Sequence, residues 1–353
     1  MRPTVYLPSP TRAALVATAT LLAACADQTH VAPTAPDRLP TAAVPPESAR
    51  TSLQPAGGGG GTPLPTPKPP VQGNCWPGCV VHGPGRILFV DAYTATAYTV
   101  NRDGTDLRSQ VVGAAEPTWW PDYKGFAFTK AAGNASALVY RRILGQCPAD
   151  SLCADVVLTK PLSPADRARD GAVDPTGGLV AYDDNRAGPY DLYVATTDGT
   201  GGAGTRLTFG PGNSRWPHWS PSGHELVFAT QGYNPGGTGP YHIARVDRDG
   251  EGLTLLNGME GRHPAYSPDG QHIAFTTSTK GGDRVAVMDA DGNHPTVLKL
   301  PVTDASHPSW SRDGQWIAFA SSDPAWYGIN AVRADGTGLV HVVSFHGTPR
   351  WSR

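Results

Sequence analysis

Short apolar runs recur along the chain, each three or four residues long and each placed just after a turn. They read Ile87-Leu88-Phe89, Phe126-Ala127-Phe128, Leu179-Val180-Ala181-Tyr182, Leu226-Val227-Phe228, Ile273-Ala274-Phe275 and Ile317-Ala318-Phe319. Continuous apolar runs of this length predict strands buried on both faces, and the small Ala between large residues predicts close approach of a neighbouring layer. Ahead of each run lies a fuller pattern. The clearest copies are His263-Pro264-Ala265-Tyr266-Ser267-Pro268-Asp269-Gly270 and His307-Pro308-Ser309-Trp310-Ser311-Arg312-Asp313-Gly314. Trp216-Pro217-His218-Trp219-Ser220-Pro221-Ser222-Gly223 is an earlier copy, and weaker ones begin at Pro117 and Ala172.

The position held by Ser267 recurs at Trp120, Asp174, Ser220 and Ser311, a period of roughly 45–55 residues, which fits one four-stranded propeller blade per repeat. In each copy a first strand is predicted, then a reversal at the Ser-Pro-Asp-Gly turn, then the apolar second strand. The second half of the unit repeats as well. Val194, Val246, Val287 and Val332 each lead into an Asp-Gly pair at 198, 249, 291 and 335, a strong hairpin signal.

Pro349-Arg350-Trp351-Ser352-Arg353 is a sixth copy of the first strand, without a turn, an apolar strand or a hairpin after it. Those pieces occur at the other end, as Gly85, Ile87-Leu88-Phe89 and Tyr98 to Asp103-Gly104. The last strand is therefore expected to complete the first blade. That gives an all-β, six-bladed β-propeller over residues 75–353, closed by the C-terminal strand and leaving no open sheet junction.

The repeats resemble the WD40-like (PD40) repeats of the TolB propeller family, over residues from about Val81 to Arg353. The resemblance implies fold more than function. The N-terminal α/β domain of TolB proteins has no counterpart here, so their role in the Tol–Pal system is not carried over.

Ahead of the repeats, Arg2 and Arg12 precede the apolar run Ala13 to Ala24, too short for a membrane span of about 20 residues. It ends in Leu22-Ala23-Ala24-Cys25, which resembles a bacterial lipobox. The resemblance implies a signal peptide over 1–24, lipid attachment at Cys25 and, with Ala26 following, an outer-membrane anchor. Residues 25–74 are rich in Pro and Gly and are expected to form a disordered tether, averaging about 40 Å end to end as a flexible coil. Of the 5 cysteines, Cys75, Cys79, Cys147 and Cys153 remain as two close pairs. In an exported chain they are read as disulfides, with three connectivities open.

Net charge is −2, which gives no electrostatic reason to expect nucleic acid as a partner. No Gly-x-Ser-x-Gly elbow or metalloprotease pattern occurs, and neither cofactor nor bound metal is expected. Two groups of residues are candidates for binding. The residue before the repeat's Pro is expected at the channel mouth: Glu116, Trp216, His263, His307 and Thr348, with Gly171 beside Asp170 in the third blade. The variable connections supply Asp183, Arg186, Tyr233, Trp326 and Tyr327, because variable loops on a rigid scaffold commonly carry function. The expectation is a monomeric, non-catalytic envelope lipoprotein that binds a protein or glycan partner through its variable-loop rim. The second expectation is a carbohydrate-active lyase or hydrolase using the channel mouth, with or without the assistance of a metal.

Overall fold

A computed structural model describes residues 85–352, apart from 133, 143–154, 160–162, 164 and 199–201. The expected signal peptide and tether, with Cys25, Cys75, Cys79, Cys147 and Cys153, lie outside the described residues. Within them the chain forms six four-stranded antiparallel sheets, the blades of a propeller. Blade 1 takes its inner strand, Arg350–Trp351, from the C-terminus, followed by Arg86–Asp91, Thr96–Asn101 and Arg108–Val112. Blade 2 comprises Ala115–Trp119, Gly125–Ala132, Ala135–Arg142 and Val156–Val157, and blade 3 comprises Arg169–Val173, Leu179–Asp184, Asp191–Thr196 and Thr205–Arg206. Blade 4 is Ser214–Trp219, Glu225–Thr230, His242–Asp247 and Thr254–Glu260. Blade 5 is Arg262–Tyr266, His272–Thr279, Gly282–Asp289 and Thr296–Val297, and blade 6 is Ser306–Trp310, Trp316–Ser321, Gly328–Arg333 and Val340–Val343. Ring closure is as the repeats predict: Trp351 pairs with Ile87 and Arg350 with Leu88.

The second strand of each blade is the core of the molecule, and its alternation explains the Ile-Ala-Phe motif. Ile317 and Phe319 face blade 5, whereas Ala318 faces blade 1 and meets Ile87 and Phe89. Ile273 and Phe275 likewise face blade 4, and Ala274 faces blade 6. Phe126 and Phe128 face blade 1, while Ala127 faces blade 3. Large residues thus point to the preceding blade, and in blades 2, 3, 5 and 6 a small Ala points to the following one, where Leu88 and Val227 stand in blades 1 and 4. The small residue lets the neighbouring sheet approach closely.

Side chains set the tight turns. Ser267 Oγ donates to Asp269 Oδ1 at 2.6 Å and accepts from His272 N at 2.9 Å, while Gly270 takes a φ of +71°. Ser311, Asp313 and Gly314 repeat this arrangement in blade 6. Asp is selected because it also accepts from the backbone two residues on, as Asp269 does from Gln271.

Around the channel, the inner strands have no further strand to pair with on their axial side, so their carbonyls need other donors. Tryptophan supplies them. Trp119 Nε1 donates to the Arg350 carbonyl at 3.0 Å, Trp219 Nε1 to Ala172 at 2.9 Å, and Trp310 Nε1 to Ala265 at 3.1 Å. Each bond runs from one blade to the preceding one. At the closing strand the rule fails, for Trp351 Nε1 is buried without a partner.

Candidate functional site

Five inner strands share one irregularity. Between Arg262 and Ala265 the register shifts, and the same occurs between Ala115 and Thr118, Arg169 and Ala172, Arg215 and His218, and Ser306 and Ser309. In four of the five the bulge accommodates a Pro, which cannot donate to the ladder. The residue before it adopts positive φ: Glu116 +50°, Trp216 +58°, His263 +51° and His307 +56°, with Asp170 at +48° in blade 3. Asp170 itself, and not Gly171, therefore occupies the channel-mouth position of blade 3. Gly171 stands where the other blades have Pro, and a Cβ there would lie 2.9 Å from the Leu138 side chain. Left-handed backbone costs a non-glycine residue about 1–2 kcal/mol. The ring holds five such residues, bulky ones included, and strain of this kind concentrates at functional sites.

The side chains of these residues meet around the axis in two groups. On one side the His263 and His307 rings stack with centroids 3.6 Å apart, Trp216 packs tilted against His263 at 4.3 Å, and Tyr241 extends the row 5.0 Å beyond Trp216. Burial, with the nearby charges of His307 and Arg350, holds His263 well below the usual histidine range. Burial and Arg350 lower His307 to about 3. Both rings are therefore neutral at ordinary pH, as a face-to-face imidazole contact demands. On the other side Glu116 Oε2 accepts from Thr129 Oγ1 at 2.9 Å and from the Asp170 backbone N–H at 3.0 Å. Arg215 bridges Asp170, at 2.8 Å, and Asp183, at 3.1 Å, and its guanidinium lies over Tyr190 and Trp216. Burial and the charges of Glu116 and Asp183 push the Asp170 carboxyl well above its ordinary range, and burial raises Asp183 as well. Burial opposes the Arg215 charge, but Asp183 and Asp170 more than offset it and raise its pKa.

Asp183 is thus not a loop residue. It lies within the buried second strand Leu179–Asp184, is fully buried, and anchors Arg215. Arg186 is in the loop, yet it folds back: it bonds the Ala203 carbonyl, pairs with Asp184 and lies over Tyr193. Trp326 packs against the blade 5–6 core, and the Tyr327 hydroxyl bonds that of Tyr93 at 3.2 Å. Tyr233 is 47% exposed. Two exposed aromatics were not among the candidates: Tyr93, 81% exposed, and Phe209, 72% exposed. Phe209 lies in the link between blades 3 and 4 and Tyr93 in the second-to-third turn of blade 1, so both join Tyr233 on the variable rim.

His263 and His307 are stacked on one another and do not converge with Glu116 and Asp170 on a common point. Among the described residues no group of three or more His, Cys, Asp or Glu is placed to hold a metal ion.

The comparisons agree with this architecture. The chain has the fold of the TolB propeller. TolB from Acinetobacter baumannii superposes with a TM-score of 0.62 at 19% identity, covering 76% of this chain and 66% of that one. A putative TolB from Agrobacterium tumefaciens gives 0.57 at 20% identity, covering 74% and 90%. A chain of a nidogen/laminin complex gives 0.59 at 11% identity, covering 76% and 98%, so the architecture extends well beyond TolB. The family profile of the lipoprotein LpqB beta-propeller domain matches residues 246–346, from the third strand of blade 4 through blade 6. No curated protein matches the chain at the level of sequence. The chain spans just under two thirds of the length of the Acinetobacter protein, and identities this low speak to fold alone.

Proposed function

We propose that this is a cell-envelope lipoprotein, tethered through Cys25, whose propeller is a non-catalytic module that docks a protein or glycan partner on its variable-loop rim. The observation that carries the reading is the asymmetry of the two rims. The most exposed aromatic side chains among the described residues, Tyr93, Phe209 and Tyr233, all lie on the rim of long connections. The opposite rim consists of short Ser-Pro-Asp-Gly and Asp-Gly turns whose polar groups bond within the turn. Exposed aromatics near arginine are the usual anchors of recognition surfaces, and Arg206 lies over the Phe209 ring at 4.6 Å. The partial match to the LpqB propeller, described as a lipoprotein domain, supports an envelope setting. An enzymatic reading of the channel mouth finds less support, because its carboxylates are engaged by Thr129, Arg215 and backbone and its stacked histidines do not converge with them.

Crosslinking in native envelopes, followed by recovery of the protein, tests the proposal. A discrete partner is expected with the wild type, reduced at least about tenfold when Tyr93, Phe209 and Tyr233 are all changed to Ser, since each anchor contributes on the order of 1 kcal/mol or more. The same partner recovered equally from the triple variant, at unchanged thermal stability, would place the contact elsewhere.

A further inference from the structure

The rim of short turns surrounds a cavity of about 390 Å³ on the propeller axis, distinct from the surface assigned above. Four prolines, one from each turn of blades 2–5, form its lip: Pro121, Pro175, Pro221 and Pro268. Each packs near the turn glycine of the next blade, as Pro221 does near Gly270 and Pro268 near Gly314. In blade 6 the series breaks, and Arg312 stands where the proline would be.

A second arginine lies at the inner end. Arg350 occupies the residue between the repeat's Pro and Trp, where the other blades carry Thr118, Ala172, His218, Ala265 and Ser309. Among the described residues no carboxylate lies within 4 Å of its guanidinium, whose hydrogen bond goes to the carbonyl of its own neighbour, Pro349. The nearest acids are engaged elsewhere, Glu116 by Thr129 and the Asp170 N–H, and Asp170 by Arg215. A half-buried guanidinium facing a cavity without an anion is incompletely compensated, and its planar fork is built to take one bidentately.

We propose that this cavity binds a small monoanionic carboxylate with a flat or ring-shaped apolar body, its carboxylate on Arg350 and its body against the proline lip. The volume is in the range of small-molecule sites, and prolines with indole edges give an apolar wall. The charges of Glu116 and Asp170 reach Arg350, which favours a single negative charge over the two of a phosphate. Arg312 at the lip attracts the ligand and is not essential for holding it.

Benzoate, its neutral isostere benzamide, and inorganic phosphate are suitable probes, titrated calorimetrically into the full chain. Saturable benzoate binding is expected, at least about tenfold tighter than benzamide, the factor that one charge-assisted pair contributes. Arg350→Gln should abolish that preference, and Arg312→Gln should weaken benzoate only a few-fold. Because the isostere comparison is made on the wild type, it stands even where Arg350→Gln fails to fold. Equal affinity for benzoate and benzamide, or no benzoate binding up to about 10 mM, overturns the site. Phosphate binding as tightly as benzoate overturns the assignment to a monoanionic carboxylate. Neither result bears on the opposite rim, whose test uses other residues.

Discussion

Replacing Trp219 and Trp351 separately with Phe tests whether indole-to-carbonyl bonds hold the inner strands together. Both residues are buried, at 1% and 5% exposure, and both lose the same indole-to-phenyl volume. They differ in the fate of Nε1. Trp219 donates to the Ala172 carbonyl of the preceding blade at 2.9 Å, whereas Trp351 Nε1 is buried and unpaired. Trp219→Phe therefore removes a bond and strands an acceptor, a loss of about 1–3 kcal/mol beyond packing. Trp351→Phe removes an unsatisfied donor, which returns a similar amount and offsets its packing loss. The two variants should differ by about 2 kcal/mol or more, with Trp219→Phe the less stable. For a domain of this size that corresponds to a melting-temperature gap of about 4–8 °C. Thermal melts followed by circular dichroism, together with urea midpoints at unchanged slope, give the comparison. Equal losses, or a larger loss for Trp351→Phe, would show that the indole N–H contributes nothing to joining the blades.

Three other outcomes follow from the site geometry. Because His307 is lowered to about 3 and His263 lies well below its ordinary range, the unfolded chain takes up protons that the folded chain refuses. Their contribution is complete above about pH 6.5 and is lost as pH falls toward 3, by up to about 1.4 kcal/mol per pH unit for each ring; denaturation of wild type and His307→Phe between pH 6.5 and 4.5 should show a shallower slope in the variant. Arg215→Met leaves Asp170 and Asp183 without their counter-ion and should cost about 3–5 kcal/mol at pH 7. Part of that loss should be recovered at pH 5 as the stranded carboxyls protonate, visible as a urea midpoint that rises on acidification relative to wild type. Gly314→Ala should cost only about 1–2 kcal/mol, since φ is +66° but a Cβ would meet nothing nearer than Pro268 at 3.7 Å. Gly292→Ala, whose Cβ would fall 2.1 Å from the Leu256 carbonyl, should lower the melting temperature considerably more.

The blades were legible because their determinants are local and recur. A Ser-Pro-Asp-Gly turn bonds within itself, and the large–small–large run carries the packing order of the ring in its own spacing. Closure was legible for the same reason, since Pro349-Arg350-Trp351 is an inner strand whose remaining three strands stand at the other end of the chain. The bulges were not read, although a signal existed. A Pro repeated within a strand that must pair has no N–H to give, so an irregularity was needed at that point, and positive φ at the preceding residue is how the chain supplies it. Asp170, lacking the Pro, shows that the bulge belongs to the blade geometry and not to proline itself.

The candidate residues divide along the same line. Glu116, Asp170, Trp216, His263 and His307 share one place in the repeat, and the structure sets them around the axis in two groups. Asp183 and Arg186 are placed by the repeat in a variable connection, yet both turn inward to partners within the blades, because an acid beside an Arg in sequence says nothing of partners distant in the chain. Arg215 joins Asp170 across 45 residues and Asp183 across 32, a link that no single repeat contains. Arg350 was within reach of alignment: it is the one large cation at a position otherwise held by Thr, Ala, His and Ser. The most informative residues in this propeller are therefore those that keep the repeat's position and abandon its chemistry, as Arg312 does among the lip prolines and Arg350 does on the axis. A scaffold selected only for closure would have no physical reason to place two arginines where neutral side chains, apolar or small and polar, complete the ring.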